Sequence, residues 1–126
     1  MASKVKILVV DDELAVLESF KMILGLKDYT VKTAQNMEEA VIAVENEKFS
    51  MAFVDLRFNG EDIGLDILAK IKEIEPGLEV VICTAYATNQ NKIDAKKRGA
   101  MDYISKPFMM EDVFGLVDRA LGSGKK

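Results

Sequence analysis

The chain has 126 residues, 49% hydrophobic and 30% charged, a size and balance that fit one compact domain with a single core. Acidic residues outnumber basic ones to give a net charge of −4, which excludes bulk electrostatic binding to nucleic acid or a membrane surface. There is no histidine, so Ser-His-Asp and Cys-His catalysis, His-liganded zinc and a phosphohistidine carrier are all excluded, and any chemistry must run on carboxylates, hydroxyls, lysine or backbone. The lone cysteine, Cys83, cannot form an intramolecular disulfide, and a reducing compartment, the cytoplasm, is expected. No apolar run approaches the roughly 20 residues of a membrane span. The segment from Met1 to Lys6 lacks a signal-peptide pattern, so a soluble, unexported chain is expected.

In chain order, Val5 to Val10 reads as a first strand whose run Ile7-Leu8-Val9-Val10 suits burial on both faces. A helical stripe follows at Val16, Leu17, Phe20, Ile23 and Leu24. Thr30 to Ala34 is the second strand. Asn36 with Glu39 then forms a capping-box-like start for a helix presenting Met37, Ala40, Val41 and Val44. Met51 to Val54 is the third strand, and Ile67, Leu68, Ile71 and Ile74 mark a helix stopped by Pro76-Gly77. After the fourth strand, Val80 to Cys83, comes the weakest helix, Ala87 to Arg98. Beyond Ile93 and Ala95 it offers mainly Thr, Asn, Gln and Lys, which predicts low local stability and suits a moving element. Asp102 to Ile104 is the fifth strand, followed by a stripe at Val113, Val117, Ala120 and Leu121. Met109 stands where a cap belongs, so a ragged start to that helix is expected. Alternating βα units form parallel sheets with right-handed crossovers. The expectation is an α/β domain with a doubly wound five-stranded parallel sheet over residues 1–121. Residues 122–126 are expected to be a flexible tail or linker start, equally readable as a natural end or an expression remnant.

Open parallel sheets bind ligands at the carboxyl ends of their strands. Those ends are Asp11-Asp12-Glu13, Asp55, Thr84-Ala85 and Lys106-Pro107-Phe108. Each has an ordinary reading by itself: Asp12 as a helix cap, Asp55 as a loop aspartate, Thr84 as a strand end, Lys106 as a solvated cation. Together they differ, because carboxylates converging within ~4 to 6 Å repel by several kcal/mol per pair at an effective dielectric of about 20. A hard divalent cation relieves that repulsion. Mg²⁺ suits a set of few carboxylates, whereas Ca²⁺ prefers more oxygen ligands. An Asp carboxylate beside Mg²⁺ can attack a phosphoryl group to form an acyl phosphate, with Lys106 and the Thr84 hydroxyl meeting further phosphoryl oxygens.

At these residues the sequence resembles the response-regulator receiver family of two-component signalling, including its chemotaxis-regulator branch. The resemblance covers essentially the whole chain and rests on an acidic pair, a later Asp, Thr-Ala and Lys-Pro-Phe at successive strand ends. It implies a flavodoxin-like fold with strand order 2-1-3-4-5, and a phosphoacceptor switch of a phosphorelay rather than a conventional enzyme, one that assists its own phosphorylation and dephosphorylation. It implies that Asp55 is the phosphoacceptor and a metal ligand, that Asp12 binds Mg²⁺ directly and Asp11 largely through water, and that the Arg57 carbonyl completes the protein's share. Thr84 and Tyr103 match the family's switch pair. The implied partners are a histidine kinase or histidine phosphotransfer protein, a downstream effector or missing output domain, and a second copy in a phosphorylation-dependent dimer; neither nucleic acid nor membrane is a direct partner. Phe58-Asn59 replaces the family's frequent Met-Pro, and Gly64 stands nine rather than eight residues beyond Asp55, so the loop Asn59 to Ile63 carries one extra residue.

Three rival readings fit the residues less well. A haloacid-dehalogenase-like phosphatase needs Asp-x-Asp after the first strand, but Asp11 is followed by Glu13 and Asp12 by Leu14. A flavodoxin-like cofactor binder needs a Ser/Thr/Gly phosphate cradle where three acids would repel phosphate. A non-catalytic look-alike serving only as an interaction module has no need of the full acid, Thr and Lys set.

Overall fold

The computed structural model describes residues 5–58, 60–85 and 88–122. Asn59, Tyr86, Ala87 and both chain ends lie outside the described residues, and with them residues 123–126 of the tail expected from Gly122 onward. The elements alternate as β1 (Lys6–Val10), α1 (Leu14–Gly25), β2 (Thr30–Ala34), α2 (Met37–Asn46), β3 (Met51–Asp55), α3 (Gly64–Ile74), β4 (Glu79–Thr84), α4 (Asn89–Lys97), β5 (Asp102–Ser105) and α5 (Met110–Ala120). The sheet is parallel throughout, in the expected order β2-β1-β3-β4-β5. β3, β4 and β5 run one residue further than the apolar pattern suggested, so Asp55 and Thr84 are terminal strand residues.

Side-chain alternation along the strands divides the core in two. Leu8, Val10, Ala52, Val54, Val80 and Ile82 face α2, α3 and α4, meeting Ala40, Ala43, Val44, Ile67, Leu68, Ile71 and Ala95. Ile7, Val9, Met51, Phe53, Val81, Cys83 and Ile104 face α1 and α5, meeting Leu17, Phe20, Ile23, Leu24, Val113, Leu116 and Val117. Burial on both faces is why the central strands read as unbroken apolar runs. β2, an edge strand, buries only Ala34 fully and reads as polar alternation instead. Of the residues in α4 only Ala95 is buried, in line with its weak apolar pattern. Among the described residues, no helix is long and apolar enough to cross a membrane.

The helix boundaries follow their local chemistry. Asn36 caps α2 by accepting the Glu39 N–H at 2.9 Å, while the Glu39 carboxylate accepts the Gln35 N–H at 2.8 Å, one residue earlier than in the reciprocal box. α3 stops at Ile74, just before Pro76. The ragged start expected for α5 is not found: Asp112, three residues after Met109, accepts the Met109 N–H at 3.0 Å, and the Met109 carbonyl accepts the Asp112 N–H at 3.0 Å. A first-turn carboxylate thus does the work the Met109 side chain cannot.

Candidate functional site

β1 has β2 on one side and β3 on the other, so the strand order reverses at the β1/β3 crevice. Asp11 and Asp12 leave the end of β1 there, and Asp55 closes β3 beside them. Asp11, Asp12 and Asp55 each offer a carboxylate oxygen within 4.8 Å of the others. Asp11 and Asp55 are buried, as is Thr84, while Asp12 is half-buried. The Lys106 ammonium, 95 residues away from Asp11 in sequence, lies 3.0 Å from an oxygen of Asp11 and 3.0 Å from an oxygen of Asp55. These groups open into a cleft of about 480 Å³ lined by Asp12, Glu13, Asp55, Arg57, Gly60, Thr84, Ala85 and Lys106.

The supports explain why these side chains converge. Both Asp11 oxygens are engaged, Oδ1 by the Glu13 N–H at 2.9 Å and Oδ2 by Lys106. The N-cap of α1 is Glu13, which makes no side-chain cap bond, so the reading of Asp12 as a simple helix cap does not hold. The Lys106 N–H donates to the Thr84 carbonyl at 2.8 Å, and the Lys106–Pro107 peptide is cis. Phe108 follows and packs at a tilt against Phe20, which also meets Phe53, with ring centroids 5.0 and 4.9 Å apart. The Lys106 segment is therefore anchored to the α1 side of the core.

The electrostatics show strain. Burial first, and then the Asp11 charge, push the Asp55 carboxyl from 3.8 up to about 6; Lys106 pulls the other way and Asp12 adds to the rise. Burial disfavours the Lys106 cation, but its bonds to Asp11 and Asp55 outweigh that and its pKa is raised. One lysine thus stabilises part of a three-carboxylate cluster without cancelling its repulsion. The donor set of hard carboxylate oxygens fits a divalent cation bound by few protein ligands.

Residues 7–118 match the family model described as the response regulator receiver domain. The chain belongs to the response-regulator receiver family. A receiver-domain structure from Methanospirillum hungatei JF-1 superposes with a TM-score of 0.89 at 32% identity, covering 96% of each chain. A response regulator from Burkholderia pseudomallei, solved with a phosphorylated aspartic acid and a calcium ion, superposes at 0.85 with 26% identity, covering 97% of this chain and 71% of that one. The alginate biosynthesis transcriptional regulatory protein AlgB of Pseudomonas aeruginosa is 41% identical over 102 residues, 81% of this chain. The chain spans 22 to 26% of the length of AlgB and the other curated relatives. It is a receiver domain of the two-component kind, and its family is a phosphoacceptor signalling switch rather than a conventional enzyme.

The receiver gathers Asp11, Asp12, Asp55, Thr84 and Lys106 as the strand-end reading expected. Arg57 lines the cleft mouth, with its guanidinium turned onto its own loop, 2.7 Å from the Gly60 carbonyl. Thr84 pairs in register with Ser105, two residues beyond Tyr103, so Thr84 and Tyr103 share the sheet face covered by α4. The Tyr103 hydroxyl is buried, and no group among the described residues meets full hydrogen-bond geometry with it. Burial raises its pKa, countered by the nearby Thr88 backbone and Asn91 side chain, and Lys92 of α4 lies 6.0 Å from its ring centroid.

Sequence reasoning missed the turn that follows β3. Phe58 and Glu61 exchange both backbone hydrogen bonds, at 2.8 and 3.0 Å, around Gly60 with φ 81°. This turn lies in the loop of the extra residue, and the dipeptide Asn59-Gly60 was its available signal. Gly64 then sits so close to β3 that a Cβ there would lie 2.1 Å from the Asp55 carbonyl oxygen.

Proposed function

We propose that this receiver accepts a phosphoryl group on Asp55 and converts it into a changed interaction surface. The observation that supports this most is the Lys106 ammonium 3.0 Å from both Asp11 and Asp55 within the three-carboxylate cluster. Asp12 and Asp55, with the Arg57 carbonyl, would hold Mg²⁺, and Asp11, whose oxygens are committed, would act through water. Bound there, the ion supplies charge neutralisation between the attacking carboxylate and the incoming phosphoryl group. An Asp55 carboxylate oxygen forms the new bond to phosphorus as the donor's bond to phosphorus breaks, the leaving group keeping the electron pair. Lys106 pairs one phosphoryl oxygen and the Thr84 hydroxyl donates to another.

The donor would be a phosphorylated histidine kinase or histidine phosphotransfer protein, or a small phosphodonor without a separate catalyst. Thr84 drawn toward the phosphoryl group would alter the packing of Tyr103 beneath α4, and the exposed, weakly packed α4 would change with β5 and α5. The reader of that surface would be an output domain or effector, or a second phosphorylated copy, in the cytoplasm and without direct contact of this domain with nucleic acid or membrane. Intact mass after incubation with acetyl phosphate and Mg²⁺ tests the reading. A Mg²⁺-dependent gain of one phosphoryl group that is lost in Asp55→Asn is expected; a gain that survives the substitution contradicts it.

A further inference from the structure

Arg57 stands two residues beyond Asp55 and lines the same cleft, as does Gly60. Its guanidinium is occupied by its own loop: Nη2 donates to the Gly60 carbonyl at 2.7 Å, and Nε lies 3.6 Å from an Asp62 carboxylate oxygen. The loop backbone is closed without help from Arg57. The Phe58–Glu61 exchange closes the turn, the Ile63 N–H returns to the Glu61 carbonyl at 2.8 Å, and the Gly64 N–H reaches the Leu56 carbonyl at 2.8 Å. The side chains of Arg57 and Asp62 are 39% and 53% exposed, so their ion pair is weak in net terms and open to competition from a stronger anion nearby.

We propose that Asp62 is a positioning residue that restrains Arg57, so that the Asp62 carboxylate and a phosphoryl group on Asp55 compete for one guanidinium. The inference rests on the phosphoacceptor reading of Asp55 and adds a determinant that the turn after β3 brings to the cleft. Lys106 is already shared between Asp11 and Asp55. Arg57 is a cleft-lining cation able to add forked hydrogen bonds to phosphoryl oxygens, which carry close to two negative charges near neutrality. Loss of the Asp62 charge therefore shifts Arg57 toward the phosphoryl site. An exposed ion pair of this class converts to a change of about two- to fivefold in affinity for a phosphoryl group.

The test titrates the Mg²⁺-loaded protein with beryllofluoride, an unreactive phosphoryl stand-in, and follows backbone and Arg57 Nε–H resonances by NMR. The native protein binds and Asp55→Asn does not; absence of native binding would remove the phosphoacceptor reading and this inference with it. Given native binding, Asp62→Asn is expected to bind about two- to fivefold more tightly, with a larger shift of the Arg57 Nε–H on binding. Asp62→Glu, which keeps the charge, stays near native affinity, and Asp62→Asn has no effect when Arg57→Gln is also present. Equal or weaker binding by Asp62→Asn, a gain that persists with Arg57→Gln, or Asp62→Glu behaving like Asp62→Asn would each overturn the proposal while leaving the phosphoacceptor reading standing.

Discussion

Replacing Asp55 with asparagine should make the metal-free protein more stable, although it removes a buried ionic partner of Lys106. The Asp55 carboxyl is moved from 3.8 up to about 6, chiefly by burial and by Asp11, with the opposing pull of Lys106 already included. At about 1.36 kcal/mol per pKa unit, the ionised form is disfavoured in the folded state by about 3 kcal/mol. The native pKa exceeds the unfolded one, so the stability linked to this group is fully present below pH ~4 and is lost as pH rises to about 6. Asparagine cannot ionise and escapes that loss, while Lys106 keeps its 3.0 Å contact with Asp11. Urea or thermal unfolding in EDTA should show no advantage for Asp55→Asn near pH 4 and an advantage of about 3 kcal/mol at pH 7, roughly 10 °C in Tm for a domain of this size. Saturating Mg²⁺ should narrow the gap by stabilising the native protein through its metal site. If Asp55→Asn is no more stable than the native protein at pH 7 in EDTA, or if the gap does not change between pH 4 and 7, burial and the neighbouring acids do not disfavour the Asp55 carboxylate as described.

On adding beryllofluoride with Mg²⁺, NMR shifts should extend from the pocket to Thr84–Arg98 and Tyr103; confinement to the pocket, or distant shifts that persist in Thr84→Ala, would refute the coupling. Self-dephosphorylation should be slow, because a long cation and an aromatic ring stand two residues beyond Asp55 and Thr84. Arg57→Asn, Tyr86→Glu or their combination should hydrolyse about tenfold faster or more, and no acceleration in any of them would show that these side chains do not set the lifetime. Gly64→Ala should cost on the order of 3 kcal/mol in urea unfolding, since its Cβ would lie 2.1 Å from the Asp55 carbonyl oxygen; a loss below about 0.5 kcal/mol would mean that the start of α3 yields easily.

The fold was legible because β1, β3 and β4 are buried on both faces, which forces apolar runs such as Ile7 to Val10 and spaces the helices between them. The strand-end rule then located the site, since βα alternation places the carboxyl end of every strand on one edge. Four features escaped for physical reasons. The start of α5 is capped by Asp112 through the Met109 backbone, so inspecting the cap position alone gave the wrong expectation. The turn from Phe58 to Glu61 is built from backbone bonds and the positive φ of Gly60, and neither produces hydrophobic periodicity. That Lys106 bridges two particular carboxylates could be read only with the side chains in place, because Asp11 and Lys106 are 95 residues apart. The burial of the Tyr103 hydroxyl was equally hidden, since it depends on tertiary packing rather than on a motif.

The central claim is that Asp55 carries the phosphoryl group. An acyl phosphate is reduced by borohydride to an alcohol, converting the modified aspartate to homoserine, which peptide mass mapping assigns to a single position. After phosphorylation with Mg²⁺ and acetyl phosphate, homoserine is predicted at position 55 alone, and it should disappear when Mg²⁺ is chelated before the donor is added. Homoserine at position 11 or 12, or phosphoryl incorporation that leaves Asp55 intact, would contradict the account.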